Sequence, residues 1–140
     1  MDPDRQRAIE RAQIEQVCEA AMRALARRAD LRWRGTTLHQ GRQRLPAFPV
    51  HVQTGLEQGD RPGLRGAADG MAVRLRGSDA DLHRRLAPSA GIALTLFDLL
   101  EQFRVESLVD DALPGVRRNL AQRFHDWSQD YHRTGLNETL

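Results

Sequence analysis

Apolar residues recur at intervals of three and four along most of the chain, and each interruption of that rhythm carries a recognisable break signal. Asp2 followed by Pro3 is a helix start. Ile14, Val17, Cys18, Ala21, Met22 and Leu25 then recur on one helical face, predicting a first helix to about Ala29. Leu31 and Trp33 alternate with arginines, the period of a short half-buried strand, which Gly35 ends. From Thr36 to Gly63, Pro46, Pro49 and Pro62 bar a continuous helix, so the stretch reads as a long Pro/Gly-rich loop. It has room for a hairpin and for a brief strand-like alternation from His51 to Thr54. A loop this long in a compact domain either packs across the helices or carries function.

Helical spacing resumes with Leu64, Ala68, Met71, Ala72 and Leu75 and ends near Gly77. Ser78, followed by Asp79 and Asp81, predicts the N-cap of a short helix bearing Leu82 and Leu86. Beyond Pro88, Ser89 predicts the cap of a longer helix. In it Ile92, Leu96, Leu99, Leu100, Phe103 and Leu108 face inward, and Leu94 and Phe97 widen the apolar face. Pro114 opens a last helix with Val116, Leu120, Phe124, Trp127 and Tyr131 at helical spacing, and Gly135 stops it. The expected fold is mainly α: a helical bundle-like domain of about five helices, with a small β element and the long loop. It is expected to form one domain over residues 1–140.

Composition narrows the function classes. The chain has 21 basic residues, all arginine, against 19 acidic ones, for a net charge of +2. Arg and acid alternate within most segments, which disfavours nucleic acid as a partner, because that needs a basic surplus gathered on one face. An Arg-rich helical nucleic-acid-binding module, using Arg42, Arg44, Arg84, Arg85, Arg117 and Arg118, or a general protein-interaction module is the alternative reading. The lone Cys18 excludes an intrachain disulfide and lies on an apolar stripe, where it reads as a small buried hydrophobe. With no apolar run of signal-peptide or membrane-spanning character, a cytoplasmic protein is expected, with no membrane partner. No phosphate-binding glycine motif occurs, and DWSQD at 126–130 lies within a helical pattern and ends in Asp where an adhesion-type metal motif needs Ser.

The candidate chemistry is a set of charged residues at helical spacing. Arg65 and Asp69 are four apart, and Arg74 and Arg76 flank Leu75. Asp98, Glu101 and Gln102 share a strip, and Glu101 and Arg104 are three apart. If that strip meets Arg65, Arg74 or His83, a bidentate interhelical network results. Metal binding by His83 with Asp79, or with Glu101 and Glu106, is disfavoured, as it is for His125 and His132. Asp79 and Asp81 are explained as first-turn acids, and no spacing shows convergence. His39 and His51 define no ligand spacing, while Arg42, Arg44 and Arg61 near Phe48 offer a place for phosphate or an acidic partner.

From Arg65 to Leu120 the sequence runs through RGAAD, AVRLR, LH, FD, EQFRVE and GVRRNL. This ordered series resembles the N-terminal region of the CobT subunit of aerobic cobaltochelatase. Members of that family are longer and carry an acidic linker and a von Willebrand A domain, so the resemblance implies an isolated N-terminal domain or a truncated relative. Gly77, Ser78 and Asp79 stand where the family tends to have a His-containing string, which removes one candidate ligand. The matching positions, Arg65, Asp69, Arg74, His83, Asp98, Glu101, Arg104, Glu106 and Asn119, are the candidates for a partner surface or interhelical network. The resemblance implies a complex that inserts cobalt into hydrogenobyrinic acid a,c-diamide during cobalamin synthesis, with a CobS-type AAA+ ATPase and a CobN-type large subunit as partners. It places ATP, Mg and cobalt in the full complex, with no cofactor, metal site or catalytic residue in this domain. A homo-oligomer is compatible with the sequence.

Overall fold

The computed structural model describes residues 2–34, 37–46, 48–49, 52 and 60–133. It is mainly α, with five helices and a three-stranded antiparallel sheet among these residues. Helix α1 spans Pro3–Ala26: the Asp2 carboxylate accepts from the Asp4 amide, Pro3 opens the first turn, and Arg27 closes the helix in the left-handed conformation. That C-cap makes α1 three residues shorter than its apolar pattern predicts. Strands β1 (Leu31–Arg34), β2 (Thr37–Gln40) and β3 (Gln43–Arg44) follow in the order β1-β2-β3. The proposed hairpin is therefore real and lies earlier than the His51–Thr54 alternation. Of that alternation only Val52 is described, and Gly35 and Gly135 lie outside the described residues.

Helix α2 (Arg61–Gly77) is capped by Asp60, whose carboxylate accepts from the Gly63 amide at 2.8 Å. Helix α3 (Ala80–Leu86) is capped by Asp79, not Ser78, because Ser78 ends α2 and turns its hydroxyl elsewhere. Helix α4 runs Gly91–Ser107. Its N-cap is Ala90 with no side-chain bond, so Ser89 does not cap it. Helix α5 is Pro114–Arg133. The apolar core lies between α1, α2 and the sheet. Cys18, Met22 and Ala26, four apart along α1, meet Leu64, Ala68, Met71 and Ala72 of α2 and Leu31 and Leu38 of the sheet. Val17, on the predicted stripe, is 70% exposed. Arg28 ties these parts together, donating to the Gln40 side chain at 2.8 Å and to the Leu75 carbonyl at 3.0 Å.

Helices α4 and α5 pack on the other side of α2 by a different chemistry. The groups that α4 buries most deeply are Gln102 and Val105, and α5 buries Leu120 and Arg123. Gly66 and Gly70, one turn apart on α2, make this approach possible. A Cβ on Gly66 would come within 2.6 Å of Arg123 Cβ and 3.0 Å of the Asn119 carbonyl oxygen. Gly77 similarly admits Val105 Cγ1, 3.2 Å from where its Cβ would stand.

Candidate functional site

Helices α2 to α5 hold eight of the nine charged or polar candidates in hydrogen-bonded clusters. In the first cluster, Arg74 of α2 donates to Asp98 Oδ1 at 2.7 Å and to the Asp98 carbonyl at 3.3 Å, and His83 Nε2 lies 3.2 Å from the same Asp98 oxygen. The His83 ring stacks on Phe97 at 4.6 Å, so α3 is pinned to α4 through one imidazole. In the second, Arg104 donates to both oxygens of Glu101 at 2.7 Å and to the Gly77 carbonyl at 3.0 Å, and the Ser78 hydroxyl donates to Glu101 at 2.7 Å. The end of α2 is thereby fastened to α4 by a bidentate pair.

The third cluster is the most buried. Gln102, with no exposed surface, donates from Nε2 to the Gly70 carbonyl at 2.9 Å and to Glu106 Oε1 at 2.8 Å. Glu106 Oε1 also accepts from Arg123 Nη2 at 2.5 Å, and Arg123 Nη1 reaches the Gly66 carbonyl at 3.4 Å. Nearby, Asn119 Nδ2 donates to Asp69 Oδ2 at 2.8 Å. Arg65 is exposed and influences Asp69 only by longer-range attraction. Gln102 was foreseen only as part of a surface strip, and Arg123 was not foreseen. Its signal was present: Arg123 falls three residues after Leu120 and seven after Val116, on the inward stripe of α5, opposite Gly66 and Gly70.

Burial and pairing shift two carboxyls in opposite directions. The hydrogen bonds from Arg104, helped by Ser78 and opposed by burial, hold Glu101 down from 4.5 to about 2. Folding therefore favours the ionised form, and this contribution is present above pH 4.5 and lost as pH falls toward 2. Burial raises Asp69 above 3.8 against its Asn119 bond, so its contribution has the opposite sign: largest in acid and lost as pH rises through the raised value. We expect Glu101→Gln to remove the Glu101 part only. The stability difference between parent and variant, from urea midpoints, should shrink steadily as pH falls from 4.5 to 2. A constant difference across that window would show that Glu101 is not held down. Burial likewise pushes the Cys18 thiol up to about 11, which leaves it protonated and unreactive near neutrality.

These pairings also decide what the site can do chemically. Asp79 caps α3, Glu101 is held by Arg104, and Glu106 by Arg123, so each of these carboxylates faces a cation or a helix end and none is turned to His83. Among the described residues no group of three or more His, Cys, Asp or Glu side chains is placed to hold a metal ion. A groove of about 370 Å³ lies between α4 and α5, lined by Phe103, Glu106, Arg117, Leu120, Ala121 and Phe124. Its walls are mostly aromatic and aliphatic, and Phe103 meets Phe124 edge-on at 5.6 Å.

The apolar stripe of α4 is the principal correction. Asp98, Gln102 and Val105 follow the i, i+4, i+7 spacing and face α2, which turns Ile92, Leu96 and Leu100 outward while Leu99 and Phe103 of the predicted stripe stay half-buried. Ile92 is 73% exposed, Leu96 49%, Leu100 63% and Leu108 67%, and Leu94 also stands out. The physical reason is that Arg74 and Arg123 need carboxylate and amide partners, and α4 supplies them from its polar side. Leu82 and Leu86 of α3 are exposed too.

Among the described residues no helix is long and apolar enough to cross a membrane. No match is found among curated proteins or among solved structures. The family model described as cobalamin biosynthesis protein CobT matches residues 10–139, nearly the whole chain, and the protein therefore belongs to the CobT family.

Proposed function

We propose that this chain is the non-catalytic interaction and assembly domain of an ATP-dependent cobaltochelatase. It would join a CobS-type AAA+ ATPase to a CobN-type large subunit that inserts cobalt into hydrogenobyrinic acid a,c-diamide. The observation that carries this reading is α4, whose polar side is locked inward while Ile92, Leu96 and Leu100, four residues apart, form an outward apolar row over two turns. Exposed apolar faces of this kind mark contact surfaces, and burying one leucine of this row is worth roughly 1.5–3 kcal/mol. The acids and arginines beside it serve as struts: they set the angle at which the row is presented, while ATP, magnesium and the cobalt substrate are handled by other subunits. The role is mechanical, in cobalamin biosynthesis, the process the family description names.

Copurification tests this. The chain should retain the ATPase or the large subunit when coexpressed with them, and Leu96→Asp with Leu100→Asp should cut the retained partner at least about tenfold, since one lost leucine contact is already worth that factor. Val17→Asp, at a still more exposed site on α1, should leave retention unchanged. Failure of the parent chain to retain either subunit would refute the proposal, as would equal losses in both variants.

A further inference from the structure

We propose that the outer face of the β-sheet, carrying Arg32, Arg34, His39 and Arg44, docks an acidic segment of a partner protein, independently of the α4 face. The register places these groups together. Arg32 lies opposite His39 and His39 opposite Arg44, while Arg34 is two residues along β1 on the same side. The other side, with Leu31, Trp33 and Leu38, packs on the core. Arg32 and Arg34 on β1 and Arg44 on β3 thus put three positive charges on one side of the sheet, an arrangement that favours a counter-charge from outside.

The charge distribution supplies the complementarity. From Leu31 to Leu56 the sequence has four arginines and no acid, so the remaining residues hold 17 arginines against 19 acids and are net negative. Glu19 reaches Arg32 only at 4.0 Å and is shared with Arg23. Arg34 and Arg44 are exposed and, among the described residues, no carboxylate pairs with either. Three of these four arginines lie on the small sheet, and Arg42 lies in the turn between β2 and β3.

Two features favour an acidic protein segment over nucleic acid. The face carries no Trp, Tyr or Phe to stack on bases, because Trp33 turns to the core side, and three arginines reach few phosphates. The partner also meets side chains and does not add a strand at β1. There, Glu19 accepts from the Trp33 amide at 2.9 Å and Arg23 Nε donates to the Leu31 carbonyl at 2.9 Å, which closes that edge.

Fluorescence anisotropy with a fluorescein-labelled glutamate-rich peptide, and with oligo(dT) of equal charge, tests the proposal on the full chain. The peptide should bind more tightly than oligo(dT) in low salt and weaken as salt is raised. Arg34→Glu with Arg44→Glu should weaken peptide binding at least about tenfold, the change expected for reversing two contacts near the surface. Arg5→Glu with Arg118→Glu, the same change of net charge elsewhere, should have little effect. If the first variant loses its helical circular dichroism, Arg34→Gln with Arg44→Gln takes its place. No peptide binding in low salt, equal weakening by both charge-reversal variants, or tighter oligo(dT) binding would each overturn the proposal.

Discussion

Truncating Glu106 to alanine should lower the free energy of unfolding by about 3–5 kcal/mol, the cost of leaving one member of a buried ion pair uncompensated. The Arg123 side chain is 2% exposed and that of Glu106 12%. Without the carboxylate, among the described residues the guanidinium keeps only the Gly66 carbonyl at 3.4 Å and its Nε already has no partner there, while Gln102 loses one of its two acceptors. Replacing the pair together, Glu106→Leu with Arg123→Met, should cost less than Glu106→Ala alone, since no charge is then stranded. Urea unfolding followed by circular dichroism measures both. A Glu106→Ala cost below about 1 kcal/mol would show that water reaches the pair and that it does not hold α4 to α5.

Gly66→Leu should be the next most damaging change. In an isolated helix, replacing glycine gains up to about 1 kcal/mol, so any loss reports on packing. The new side chain has no room, because backbone and Cβ atoms of α5 stand where its first carbon must go. Seating it would part α2 from α5 and take the Asp69–Asn119 and Glu106–Arg123 bonds with it. We expect a loss of at least about 3 kcal/mol, at or above the top of the range for overpacking. Gly115→Leu, with open space around it, should stay within about 0.5 kcal/mol of the parent. Similar stabilities for the two variants would mean that the close approach of α2 and α5 is not needed.

Much of the secondary structure was legible because its signals are local. Asp2 with Pro3, and Pro114, mark helix starts through capping and a fixed φ, and both helices begin there. Facing was less legible. The periodicity of α4 correctly identified an apolar face, but period alone does not say whether a face meets protein or solvent. Which side turned inward was decided by arginines on other helices, Arg74 and Arg123, through contacts 24 and 17 residues away in sequence. Arg74, His83 and Asp98 stand out in sequence because they fall in the family-like series at helical spacing, whereas Arg123 lies beyond that series and its partner Glu106 is on another helix. Ser78 and Ser89 show the same limit at smaller scale. Each is a sound cap by residue type, and each was displaced by a tertiary contact or a neighbouring residue.

In the proposed assembly role, that inversion of α4 connects the fold to a function: the polar side holds the domain together and the apolar side is offered to a partner. A domain that acts by assembly and one that acts in chemistry differ in how a defective surface affects rate. The decisive measurement is a titration of the chain into a reconstituted cobalt-insertion reaction containing the ATPase and the large subunit, using the parent and the Leu96→Asp, Leu100→Asp variant. The assembly role predicts that the variant needs at least about tenfold more protein for half-maximal rate and reaches the same plateau. A plateau that falls while the half-maximal concentration stays fixed would contradict it.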